Sequence, residues 1–184
     1  MTDNKQMKVS LIKYPTDEDW ALARRCALIT MGKTPVSEPD MAWKRAILRA
    51  RHSPIRVLNY AFLLEGIPGN TATHLARHVH AVPFISSLRN DRQDRMDGDA
   101  ARRDTPVDMI LYCNAEELIT IANKRLCHKA AERTQEAVWK MCMEAIGKTP
   151  EIGEELVPMC IHCGNTCHEV YPCDDPPWTV AQRR

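Results

Sequence analysis

Between Asn114 and Gly147 the chain carries its longest periodic pattern. Leu118, Ile121, Ala122, Leu126, Ala130, Ala137, Val138, Met141 and Ala145 recur there at spacings close to three and four, which lines one side of a helix with apolar groups. The stretch has room for one break before Gly147. A striped helix of this length needs a second layer to cover it, so the remaining sequence has to supply one.

Several segments qualify. From Thr16 to Met31 the apolar positions are helically spaced, Asp17, Glu18 and Asp19 lie near the positive end of the helix dipole, and Gly32 follows as a stop. A second helix is expected over 38–50. Ile55 to Leu64 is dense in β-branched, aromatic and aliphatic residues and is followed by Gly66-Ile67-Pro68-Gly69, which predicts a buried strand with that tetrapeptide as its end. Helix resumes with Asn70 or Thr71 as the cap and carries Thr73, His74, Arg77 and His78. Pro83 stops it, leaving 82–92 as strand or loop. The run 90–103 is rich in Asp and Arg and poor in large apolar groups, so it reads as a solvated loop. Val107 to Cys113 is a further short strand. Helices and strands in this order predict an α+β fold rather than regular βαβ alternation, and no glycine-rich dinucleotide or Walker loop is present.

At 184 residues, 44% hydrophobic and 27% charged, the chain suits one domain with an ordinary core. A net charge of +1 gives no general attraction to nucleic acid or anionic membrane. The polar start, MTDNKQMKVS, has no secretion signal, and no run is long enough for a membrane span, so a cytoplasmic protein is expected. Eight cysteines in such a setting point to thiols or metal rather than to disulfides.

Two groups of residues could carry chemistry. Arg77-His78 follows His74 by one helical turn, and Ser87-Leu88-Arg89 comes after the Pro83 break; guanidinium, imidazole and hydroxyl donors gathered in this way suit an anionic phosphate. Equally, these side chains could be a solvated helix face, and His74 with His78 lacks a third metal ligand nearby. Arg125 lies in line with Asn114, Leu118 and Ile121, beside the apolar stripe, so its half-buried guanidinium needs an acceptor. That acceptor is either a carboxylate such as Glu132 or Glu136, or an acidic or carbonyl-bearing ligand.

The segment ARHVHAVPFISSLRNDR resembles the signature of flavin-dependent thymidylate synthases, Arg-His-Arg followed after seven residues by Ser-x-Arg, with Arg77, His78, Ser87 and Arg89 in place. His52-Ser53-Pro54 stands before the first strand as a His-Pro does in that family, His74 stands where the family often has glutamine, and Asn114 precedes Arg125 by the family's spacing on the long helix. The resemblance spans roughly His52 to Glu136. It implies a ThyX-like fold, a central and mostly antiparallel sheet with helices, as a single catalytic domain over 1–157. It also implies a homotetramer whose active sites form between subunits, with FAD and dUMP side by side. Methylenetetrahydrofolate would supply a one-carbon unit to C5 of the pyrimidine, and NADPH the reducing equivalents. Arg125 and Ser87 become the catalytic candidates. His74, Arg77, Ser87, Arg89 and Arg125 would contact the nucleotide, joined by Arg103 or its neighbour Arg102. His52, Arg77, His78 and Asn114 would face the flavin.

The chain departs from the family at three places. Val79 replaces the third signature arginine, and Phe84-Ile85 replaces an Asn-Glu pair. A hydroxymethylating relative, one with another nucleotide substrate, or one that binds without turnover would be compatible with those changes. The tail over 158–184 is expected to pack on the domain. Its Cys160, Cys163, Cys167 and Cys173, interleaved with His162 and His168, have the donor density of a structural zinc site. A zinc-stabilised nucleic-acid-binding module is the rival from another class, with the Arg-rich 89–103 segment on phosphates; near-neutral charge and few aromatics oppose it.

Overall fold

The computed structural model describes residues 6–34, 37–89, 91 and 101–173. Its centre is a four-stranded sheet in the order β1-β2-β4-β3, formed by Lys8–Lys13 (β1), Asn59–Pro68 (β2), Val82–Ile85 (β3) and Pro106–Asn114 (β4). All three pairings are antiparallel. The helices are Asp17–Ile29 (α1), Met41–Arg49 (α2), Gly69–Ala76 (α3), Ala115–Arg125 (α4), Glu132–Lys148 (α5) and the single turn Met159–His162 (α6). The expected α+β class is what forms, with an edge strand, β1, that the sequence reading had not assigned.

The sheet is two-faced because β alternation puts every second residue on one side. Tyr60, Phe62 and Leu64 of β2 lie opposite Cys113, Leu111 and Met109 of β4, and all six are buried. Helices α3, α4 and α5 cover this side through Leu75, Leu118, Ile121, Val138, Met141 and Cys142. In that environment the Cys142 thiol is pushed up to about 12 by burial, as befits an inert packing group. The opposite side carries Leu63, Ile110 and Phe84 in one row across three strands, with Ala61, Tyr112 and Val82 in the next. Val82, Phe84 and Ile110 are exposed there.

Local chemistry explains most boundaries. Thr16 and Asp19 exchange side-chain to backbone hydrogen bonds at the start of α1, a capping box. Ile55 falls in a 3-10 turn, Ser53–Val57, so β2 starts later than its composition suggested. The strand ends at Pro68, inside the expected tetrapeptide, but runs on through Gly66 and Ile67 first. A bulge between Leu64 and Ile67 absorbs one extra residue, Gly66 takes φ of 64°, and its N–H donates to Asp108 Oδ1 at 2.7 Å. Asn70 and Thr71 do not cap α3. Instead the N–H groups of Gly69 and Asn70 donate to the carbonyls of Thr105 and Arg103, which satisfies the helix start with neighbouring backbone. Helix α3 ends at Ala76, leaving Arg77 as its C-cap and His78 beyond it.

The long helical pattern breaks once, between Arg125 and Glu132. The buried Gln135 of α5 bridges that break, its Nε2 donating to the carbonyls of Leu126 and Cys127 at 3.1 and 3.0 Å. These carbonyls belong to the end of α4 that carries Arg125. Gln135→Met keeps the volume and removes the donor; it is expected to lower unfolding free energy by about 2 kcal/mol in chemical denaturation, because the Leu126 carbonyl loses its donor while that of Cys127 keeps the Ala130 N–H.

Candidate functional site

Helix α4 begins where β4 ends, and Asn114 makes the switch, its side-chain oxygen accepting from the Glu117 N–H at 2.9 Å. At the other end of α4 stand Lys124 and Arg125, where the negative pole of the helix favours cations. The turn after α3 brings His78 against this helix. Its Nδ1 lies 3.2 Å from Glu117 Oε1, and Arg125 Nε donates to its Nε2 at 3.1 Å. Arg125 Nη2 donates to the His74 carbonyl at 3.0 Å, and the His74 ring is itself held by Thr134 at 2.9 Å.

His78 and Glu117 are only 8% and 4% exposed, so their protonation follows from their surroundings. Burial, and then the Arg125 charge, push His78 down to about 4, leaving the ring neutral at pH 7. Burial also raises Glu117 above the usual carboxylate range. Arg125 is lowered by burial first and by Arg77 second, and both arginines lower His74 after burial. Among the described residues, no carboxylate lies within ion-pair distance of Arg77 or Arg125. The carboxylate Glu136, one of the acceptors suggested for Arg125, is bound instead by Arg133 and Lys140.

A guanidinium has five N–H groups. In Arg125 the side edge, Nε and one Nη2 proton, is held by His78 and His74. The end edge, Nη1 with the other Nη2 proton, has no acceptor among the described residues. Arg125 and His78 line a cavity of about 450 Å³, with Lys124, Lys129, Glu169 and Tyr171 among its other walls. The last two come from the C-terminal segment, fastened by Lys124 to Glu169 at 3.3 Å and by a hydrogen bond from Lys129 Nζ to the Tyr171 carbonyl.

The other expected site residues are distributed more widely. Arg77 is exposed beside Arg125. Ser87 Oγ accepts from the Arg89 N–H at 3.2 Å, and the Arg89 guanidinium grips Asp91 at 2.8 and 2.7 Å, so within one chain neither joins the Arg125 cavity. Arg103 is exposed and meets α3 through its carbonyl, while Arg102 pairs with Asp104 at 3.5 Å. His52 lines a different hollow of about 550 Å³ beside Trp43 and Pro54. Asn90 and residues 92–100 of the Arg-rich segment lie outside the described residues. Val79, Phe84 and Ile85 are exposed by 88, 61 and 42%, respectively.

Cys160, Cys163, Cys167 and Cys173 are half-buried, but among the described residues no three His, Cys, Asp or Glu side chains are grouped to hold a metal. A tetrahedral site needs its ligands about 2 Å from one centre. Among the described residues the donor density of the tail is therefore not matched by a converged set of ligands. No described helix is long and apolar enough to cross a membrane.

No protein-family model and no curated protein matches this chain. Solved structures do. A thymidylate synthase X (ThyX) from Helicobacter pylori with FAD and dUMP superposes with a TM-score of 0.63 at 15% identity, covering 82% of this chain and 97% of its own. The chain has the ThyX fold. A second ThyX structure from that organism, also with FAD and dUMP, gives 0.61 at 16% identity over 77% of this chain and 95% of its own. The UMP/dUMP methylase PolB from Streptomyces cacaoi, bound to 5-Br dUMP, gives 0.64 at 15% identity over 82% and 94%.

In this ThyX fold the sequence reading had not singled out Glu117, Lys124, Lys129 or Tyr171. Glu117 had a signal, since a carboxylate next to Leu118 in an apolar stripe needs a buried partner. Tyr171 had none, because its place depends on how the tail returns. Replacing Lys124 and Lys129 together by alanine should speed amide hydrogen exchange over 169–172 by about tenfold, the effect of losing an exposed ion pair and one hydrogen bond.

Proposed function

We propose that the protein is an FAD-dependent enzyme that transfers a one-carbon unit from methylenetetrahydrofolate to C5 of a pyrimidine nucleotide, of the dUMP-to-dTMP type with NADPH as reductant. The observation that carries this reading is Arg125, a partly buried cation beside a second arginine, unneutralised by any described carboxylate, which lines a cavity and has its end-edge donors without an acceptor among the described residues. A half-buried guanidinium left in that condition suits a ligand with negative charge or carbonyl oxygens.

The residues fit such a pair of ligands in distinct ways. The end edge of Arg125 would meet the uracil carbonyls and stabilise negative charge as C5 becomes nucleophilic, an effect worth about 3 kcal/mol for one well-placed donor. Ser87 still has its hydroxyl proton for a phosphate, and Arg89 would exchange Asp91 for it. Arg77 and His78 would adjoin the flavin. Asn114 has its oxygen committed to the cap of α4, so only its amide N–H groups are available to the cofactor. Bound FAD would supply the methylene-transfer and hydride chemistry that no side chain offers.

Ser87 and Arg89 stand apart from Arg125 within one chain, so the reading includes a homotetramer in which neighbouring subunits complete each site. The outward sheet face supports it: Leu63, Ile110, Phe84 and Val82 form an apolar surface that a second subunit would cover. Val79, Phe84 and Ile85 also favour a second reading, hydroxymethylation or an altered nucleotide, because these exposed groups offer no hydrogen bonds to a flavin or a proton in transit.

The test is to purify the protein, record the visible spectrum of any bound flavin, and identify by mass the product formed from dUMP or dCMP with FAD, methylenetetrahydrofolate and NADPH. A colourless protein that forms no product with FAD added would overturn the reading. Arg125→Ala is expected to weaken nucleotide binding by about 100-fold and Ser87→Ala by less than about fivefold, since water can replace one hydroxyl at a phosphate. Unchanged affinity in Arg125→Ala would remove that residue from the site. Phe84→Asp should shift the sedimentation profile from tetramer toward smaller species.

A further inference from the structure

Arg125 is held by a neutral ring rather than by a counterion, and behind that ring lies a buried carboxylate. We propose that Glu117 is a positioning residue of the nucleotide site: by accepting from Nδ1 of His78 it fixes the imidazole tautomer whose Nε2 lone pair holds the side edge of Arg125, leaving the guanidinium oriented and electrically uncompensated.

The geometry assigns each proton. Arg125 Nε can only donate, so His78 Nε2, 3.1 Å away, must be an acceptor. The ring is neutral, so its single proton sits on Nδ1 and is donated to Glu117 Oε1 at 3.2 Å. The other tautomer would set two N–H groups against each other at Arg125 and leave Nδ1 without a proton facing a carboxylate. Glu117 therefore selects between a ring that binds Arg125 and one that repels it.

Interposing the ring has a chemical consequence. A carboxylate in direct contact with Arg125 would occupy its donors and neutralise it, and an incoming nucleotide would have to displace a salt bridge. Through His78, Glu117 fixes the direction of the guanidinium without touching it, and the end edge keeps no acceptor among the described residues where Arg125 lines the cavity. Two further contacts keep the relay rigid. The Glu117 backbone is held by the Asn114 cap at 2.9 Å, and Arg125 has its second anchor on the His74 carbonyl. The charged or titratable groups around the relay are Arg125 on α4, Arg77 at the end of α3, His80 in the following turn and Glu116 beside Glu117. None of the last three is hydrogen-bonded to the His78 ring, so among the described residues its two nitrogens answer to Glu117 and Arg125.

The proposal rests on the pyrimidine-nucleotide reading for its ligand, but the state of the ring can be read without any ligand. In full-length protein labelled with 15N-histidine and assigned by comparison with His78→Gln, His78 is expected as the Nδ1–H tautomer at pH 7. In Glu117→Leu the Nε2–H form should gain population at the expense of the Nδ1–H form, and dUMP affinity by equilibrium dialysis should fall about 30-fold, a loss comparable to that of a charge-linked hydrogen bond. Glu117→Gln keeps an acceptor of the same reach and is expected to remain within about threefold of the parent. A wild-type ring in the Nε2–H form overturns the proposal, and that measurement needs no variant to fold. Folded Glu117→Leu that binds dUMP within about twofold of the parent overturns it as well, because the hydrogen bond would then carry no coupling. If the parent itself does not bind dUMP, the nucleotide reading fails, and the imidazole spectrum still decides whether Glu117 sets the tautomer.

Discussion

The pairing of β2 with β4 fixes almost everything else in the molecule. It is the central ladder of the sheet, it sets Tyr60, Phe62 and Leu64 level with Cys113, Leu111 and Met109 on the buried side, and it ends at Asn59 opposite Asn114. A slip of one residue would turn that apolar set outward. Because α4 starts directly at Asn114, the ladder also fixes where the helix begins and how it is turned. The position of Arg125, three turns along, is thus inherited from strand register.

Electrostatics in the site run against the usual economy of buried charge. Glu117, His78 and Arg125 form one line of hydrogen bonds, yet the cation at its end has no carboxylate partner among the described residues. Burial lowers the arginine and the histidine and raises the glutamate, each shift opposing the charged form. Structures keep such an arrangement at a cost in stability, which is typical of functional sites. The C-terminal segment adds a wall of the opposite kind, Glu169 and Tyr171 tied down by two lysines.

Much of the scaffold was legible because its signals are local. Thr16 with Asp17, Glu18 and Asp19 marks a helix start wherever it occurs, and the stripe from Leu118 to Ala145 marks a buried helical face. Where neighbours decide, the sequence misled. Asn70 looks like a cap, but the backbone at Arg103 and Thr105 already takes that role. Lys8–Lys13 is short and lysine-flanked, and becomes a strand because β2 offers it an edge. In the site, Arg77, His78 and Arg125 were visible from spacing, and the fold sets them side by side. Their connection through Glu117 depends on the turn between α3 and β3, which no periodicity describes. In the tail, too, ligand type can be read from composition and convergence cannot, and among the described residues no three ligands are grouped.

The bulge in β2 has a consequence for how such chains can vary. Two residues, Glu65 and Gly66, stand opposite the single Asp108, and only after this extra residue does Ile67 return to the buried side. The inward phase of the strand's last residues, and with it the launch of α3 and the heading of His74 and Arg77, depends on that count of two against one. Deleting a residue there would leave the first half of the sheet untouched and rotate the polar cluster away from α4. Drift in length is therefore tolerable beyond the ends of this ladder but not within it.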